Sequence, residues 1–108
     1  MQNDAPGKLG LKAPDDCASM AELRAAIDDL DQKLVAHLAV RQAYMDRAAV
    51  LKTARDQVRD PARVEDVVSK VLAEAQKVGL SAAIAEPVWR TLIEQSIRHE
   101  FEKFDLKA

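Results

Sequence analysis

Apolar residues recur every three or four positions from Leu23 onward: Leu23, Ile27, Leu30, Leu34 and Leu38, with Met45 and Ala48 continuing the same stripe. Such steps trace one face of a helix. Two cations, Arg41 and Lys52, interrupt that face. The stretch from Ser19 to Thr53 holds neither Gly nor Pro and is rich in Ala, Leu, Arg, Gln and Lys, all good helix formers. Ser19-Met20-Ala21-Glu22 has the form of a capping box, in which the Ser oxygen accepts from the backbone near Glu22 and the Glu reaches back. A rod of ~35 residues is roughly 52 Å long, whereas a domain of ~100 residues has a radius of gyration near 13 Å. The stripe therefore needs a cover that a compact monomer does not supply, and the simplest is a second copy of the chain.

Further along, Arg55 to Arg59 reads as a charged connection with little apolar content. Asp60-Pro61 reads as an N-cap followed by the first helical position, where proline loses no needed hydrogen bond. A second helix then sets Val64, Val67, Val68, Val71, Leu72, Ala75 and Val78 on one face, and Gly79 ends it. Ser81 opens a third segment, in which Pro87 puts the expected start of regular helix near Glu86. That helix presents Val88, Leu92, Ser96 and Glu100 on one stripe, flanked by Trp89, Ile93, Ile97, Phe101 and Phe104. Two polar residues again lie on an otherwise apolar face. Residues 1–18, with Pro6, Gly7, Gly10 and Pro14, read as a loose N-terminal arm before one helical domain over 19–108. The expected fold is all-α, a three-helix chain with one long N-terminal helix, assembled as a homodimer.

Composition narrows the chemistry. A chain of 108 residues is one domain at most. With 4% aromatics and 3 Gly, a sheet-rich fold is disfavoured. A formal net charge of -2 gives no basic face for nucleic acid. Cys17 is the one cysteine, so no internal disulfide forms, and no Cys or His pair at ligand spacing points to a metal. No segment approaches the ~18 apolar residues of a membrane span. The first 18 residues lack the apolar run of a secretory signal. A cytoplasmic location is the expectation.

The spacing of the cations separates them into two sets. Arg41 and Lys52 are eleven positions apart, so on a helix they point the same way to within about 20° and lie roughly 16 Å apart. One small anionic ligand fits between their long side chains. Arg24 precedes Arg41 by seventeen positions, or ~25 Å along a straight helix, and faces away by about 100°. It cannot share a small ligand with Lys52 of its own chain, but it can share one with Lys52 of an antiparallel partner helix. Each residue alone has a plainer reading. Arg41 could snorkel to water, Lys52 could serve a helix dipole, and Ser96 could bond back to a backbone carbonyl. Arg24, Arg63 and Glu100 could be ordinary surface charges. Their conjunction is what points to a site.

Leu23-Arg24-Ala25-Ala26-Ile27-Asp28-Asp29-Leu30-Asp31, then Arg41, Lys52 and Arg59-Asp60-Pro61-Ala62-Arg63, resemble the all-helical chorismate mutase family over about residues 15 to 105. The opening Asp16-Cys17 with Arg41, Tyr44 and Lys52 also resembles that family's isochorismate-pyruvate lyase branch. The resemblance implies an intertwined homodimer of three-helix chains without a cofactor. It implies site residues Arg24, Arg41, Lys52, Arg63, Ser96 and Glu100, with Arg24 contributed by the other chain. The implied substrate is a small dicarboxylate, chorismate or isochorismate.

Rearrangement of chorismate to prephenate is pericyclic, so a protein contributes conformation and charge stabilisation rather than a nucleophile. By the resemblance, Arg41 and the partner chain's Arg24 clamp the two carboxylates, since the guanidinium fork suits them. Lys52 donates to the ether oxygen, Arg63 adds charge at the mouth and Ser96 contacts a carboxylate. Glu100 stands where many members have Gln, and it donates only when protonated. Val64 stands where mutases often have a Glu for the ring hydroxyl, as in the lyase branch, and a backbone contact near Asp60 could serve instead. Chorismate and isochorismate both stay open, as does a non-catalytic helical dimer that binds without turnover.

Overall fold

Three helices, α1 (Met20–Leu51), α2 (Pro61–Val78) and α3 (Ala82–Leu106), carry most of the chain, with short 3-10 turns at Pro14–Asp16 and Arg55–Gln57. This computed structural model describes residues 9–107, and among them there is no strand. The described residues form two compact units, one through Val40 and one from Arg41, so the boundary falls inside α1. No helix among them is long and apolar enough to cross a membrane.

In the first unit, the start of α1 is built as its sequence directs. Ser19 Oγ accepts from the Glu22 backbone N–H at 3.1 Å. The Glu22 carboxylate reaches back one residue further than a standard box, to the Ala18 N–H at 2.9 Å, and Lys12 Nζ joins it at 2.8 Å. The Ala18 bond first, and then Lys12, hold the Glu22 carboxyl below the usual carboxylate range. Beyond this cap the apolar stripe is poorly covered. Ile27, Leu34 and Leu38 are 46%, 49% and 44% exposed, and every residue from Asp31 to Val40 is exposed.

The second unit contains the core. Asp60 caps α2 through its carboxylate, which accepts from the Arg63 N–H at 3.2 Å, and Pro61 takes the first helical position. At the far end Gly79 adopts φ 83°, the left-handed conformation that closes the helix, and its N–H donates to Ala75 O. Ser81 caps α3, accepting from the Ala83 N–H at 3.2 Å. The helix therefore begins at Ala82, ahead of the expected start near Glu86, with Pro87 inside it. Pro87 removes a single ladder bond close to the helix start. The Ser81 cap, with Ala85 N–H donating to Ser81 O at 2.9 Å, carries the first turn regardless.

α2 packs against α3 around buried Val58, Val68, Ile93 and Ile97, flanked by Val64, Val67, Leu72, Trp89, Phe101 and Phe104. Val58 lies in the segment that reads as merely charged. The Arg55–Gln57 turn directs it inward to 3% exposure, while its charged neighbours find partners on α3: Arg55 with Asp105 at 3.0 Å and Arg59 with Glu94 at 2.8 Å. Val78 and Val88, expected on buried stripes, are 42% and 51% exposed, while Ala75 and Ala85 close by are buried.

A Cβ at Gly79 meets nothing within 4 Å, so Gly79→Ala costs only the left-handed backbone, about 1–2 kcal/mol. Urea unfolding should show that loss with an unchanged m-value. No loss would mean that the helix end had relaxed out of this conformation.

Candidate functional site

Within the second unit, Arg41, Met45 and Ala48 project from one face of α1, and Lys52 follows directly after its last residue, with its N–H still bonded to Ala48 O at 3.0 Å. They line a cleft of about 340 Å³, at the lower end of the ~300–1,000 Å³ typical of small-molecule sites. α3 contributes Ile93, Ser96, Ile97 and Glu100 to the same cleft, and α2 with the preceding loop contributes Asp60, Arg63, Val64 and Val67. Apolar side chains make up about half of the lining, and polar or charged ones the rest.

Arg41 Nη1 donates to Ser96 Oγ at 2.7 Å. Among the described residues no carboxylate lies within ion-pair distance of Arg41. Burial, and then the charge of Arg63, lower its pKa from the ordinary arginine value. A guanidinium does not give up its proton in a protein. The strain therefore persists as unbalanced positive potential in the cleft, and an anion relieves it. Lys52 Nζ donates to Glu100 Oε2 at 2.6 Å, and Glu100 is only 3% exposed. An ammonium has three donors, so Lys52 keeps two for a ligand. Glu100 compensates Lys52 but leaves Arg41 uncompensated.

The remaining residues divide by setting. Asp60 lines the cleft, yet one carboxylate oxygen is engaged in capping α2. Arg63 lines the mouth with a largely exposed side chain that pairs with Asp66 at 2.6 Å; Asp66 also accepts from Lys70 at 3.0 Å. Both bonds hold the Asp66 carboxyl low, Lys70 first. Arg24 lies in the first unit and is exposed, and the cleft is formed wholly from the second.

Sequence reasoning missed two lining residues, Gln57 and Val58. Gln57 Oε1 accepts from the Thr53 and Ala54 N–H groups at 2.7 and 3.0 Å. The spacing from Thr53 to Gln57 was a usable signal for such a turn. His99 Nε2 lies 2.6 Å from Asp46 Oδ1, linking α3 to the last turns of α1.

Comparison with known proteins gives a family and a relative. The family described as chorismate mutase type II matches residues 23–101. The chain is also similar to an isochorismate pyruvate lyase of Pseudomonas aeruginosa, with 28% identity over 92 residues, covering 85% of this chain and 91% of that protein.

Arg41→Lys keeps the charge and loses the planar fork. Calorimetric titration with prephenate, a dicarboxylate, should show affinity lowered by about tenfold, or ~1.4 kcal/mol. Equal affinity would mean that Arg41 acts as a point charge or not at all.

Proposed function

The chain belongs to the chorismate mutase type II family, and from that membership we propose that it rearranges chorismate to prephenate. The observation that carries this reading is the cleft itself: Arg41 without a carboxylate partner, beside Lys52 paired to a buried Glu100. The chemistry needs a compact dicarboxylate conformer and positive charge at an ether oxygen as its bond breaks, and it needs no nucleophile. Arg41, with Ser96 as its neighbour, holds one carboxylate. Lys52 donates to the ether oxygen, and Arg63 adds charge at the mouth. Glu100 pairs with Lys52 and orients its ammonium toward that oxygen.

The second carboxylate is assigned to Arg24 of a partner protomer in a homodimer. Two observations support the dimer: the exposed Ile27, Leu34 and Leu38 stripe, and the placement of Arg24 at the opposite end of α1 from Lys52. Burial of such a stripe contributes about 25 cal/mol per Å² of apolar surface.

A second reading, lyase action on isochorismate to give salicylate and pyruvate, is favoured by two observations. Val64 puts an apolar side chain in the cleft where a hydroxyl acceptor would otherwise stand, and the similar Pseudomonas aeruginosa protein is a lyase.

Incubation with chorismate and with isochorismate, assayed separately for prephenate and for salicylate plus pyruvate, decides between them. Prephenate from chorismate is the expected product, salicylate as the dominant product would select the second reading, and no turnover of either overturns both. An ionised Glu100 only accepts hydrogen bonds, whereas a glutamine amide also donates, so Glu100→Gln should raise kcat on chorismate. An unchanged kcat in Glu100→Gln would remove Glu100 from the chemistry.

The shared site has its own test. Arg24→Ala and Lys52→Ala chains should each be nearly inactive, and mixing them should regenerate activity in heterodimers that carry one intact site. Activity that stays at the level of the separate variants would place Arg24 outside the site. Removal of Lys52 leaves Glu100 unpaired at a cost of about 3–5 kcal/mol, so folding of that variant is checked by circular dichroism before mixing.

A further inference from the structure

The end of α1 is held by a side chain from the far end of α3. Lys107 Nζ donates to Ala49 O at 2.7 Å, to Val50 O at 3.1 Å and to Lys52 O at 2.6 Å. These bonds commit all three donors of the ammonium. Two of the acceptors belong to the last turn of α1, where carbonyls lack helical partners, and the third is the carbonyl of Lys52 itself. The ammonium also sits 4.5 Å from the centre of the Phe104 ring, which fixes it from the other side.

The peptide that follows Lys52 is held as well. Gln57 Oε1 accepts from the N–H groups of Thr53 and Ala54 at 2.7 and 3.0 Å. Arg55 then ties the turn to α3 through Asp105 at 3.0 Å and lies over the Phe101 ring at 4.4 Å. Glu100, which binds the Lys52 ammonium, sits two turns before Lys107 near the end of the same α3. One helix end therefore grips Lys52 at both its backbone and its charged tip. Lys52 is the residue that caps α1, so the bond to its carbonyl both closes the helix and holds the residue that enters the cleft.

We propose that Lys107 is a positioning residue, which with Gln57 fixes the Lys52 backbone so that its ammonium is held at the reacting ether oxygen. The proposal rests on the reading of Lys52 given above. Displacements of about 1 Å in a catalytic group cost on the order of a hundredfold in rate, so the loss of such a hold is legible in kcat.

The test uses Lys107→Met, which keeps an apolar stem beside Phe104 and removes the donors, and Lys107→Arg, which restores donors. Two readouts are taken: amide hydrogen exchange at Lys52 and Thr53, and steady-state kinetics on chorismate under conditions where circular dichroism shows each variant folded. The expected result for Lys107→Met is faster exchange at both amides and a kcat lowered about tenfold or more, with KM changed much less and partial rescue in Lys107→Arg. Faster exchange with an unchanged kcat would reduce Lys107 to a helix cap and overturn the positioning role, and unchanged exchange would overturn the hold itself. Wild-type protein that turns over neither chorismate nor isochorismate would instead overturn the functional reading and the positioning role with it, while the exchange readout still decides whether the hold exists. Should Lys107→Met fail to fold, Gln57→Leu removes the hold on the following peptide and is judged by the same readouts.

Discussion

Arg41 brings a full positive charge into a half-buried position where a serine hydroxyl is its hydrogen-bond partner. A hydroxyl offers a dipole where the charge calls for an anion, and burial together with Arg63 makes the position still less comfortable for a cation. The other features of the second unit are arranged around that tension. Ile93 and Ile97 on α3, with Val64 and Val67 on α2, form apolar walls that keep the local dielectric low. Glu100 is aimed at Lys52, so the one buried carboxylate among the described residues does not cancel Arg41. The resulting cleft keeps an uncompensated positive charge at Arg41.

The Lys52–Glu100 pair follows a different logic. A buried ion pair contributes little to stability once desolvation is counted, so its 2.6 Å contact is better understood as orientation. It holds a long, flexible ammonium in one place, and the ties from Lys107 and Gln57 hold the backbone beneath it. Rigidity is concentrated where α1 ends, at the junction of the loop with the end of α3. By contrast, the first unit leaves its apolar stripe exposed, the arrangement expected of a surface that a partner completes.

Much of this was legible in the sequence because helices write their faces at fixed intervals. The eleven-residue step from Arg41 to Lys52 and the four-residue step from Ser96 to Glu100 each predict one shared direction, and all four residues line one cleft. The caps at Ser19 and Asp60 and the stop at Gly79 were legible for the same reason, being local chemistry. Val58 was not, since a single 3-10 turn has no period to betray which residue points inward. The start of α3 was misjudged because proline's local penalty was weighed without the Ser81 cap that offsets it. Lys107 and Gln57 escaped notice because they act on backbone groups, and neither belongs to a side-chain pattern.

Nuclear magnetic resonance of the arginine side chains, followed while prephenate is titrated in, tests most directly whether Arg41 is the anion receptor. With the Arg41 Nε–H resonance assigned by its absence in Arg41→Lys, that resonance should shift and saturate together with the binding isotherm as a carboxylate joins the guanidinium beside Ser96. A ligand that binds to saturation while the Arg41 resonance stays in place would show that the charge in the cleft serves something other than the substrate.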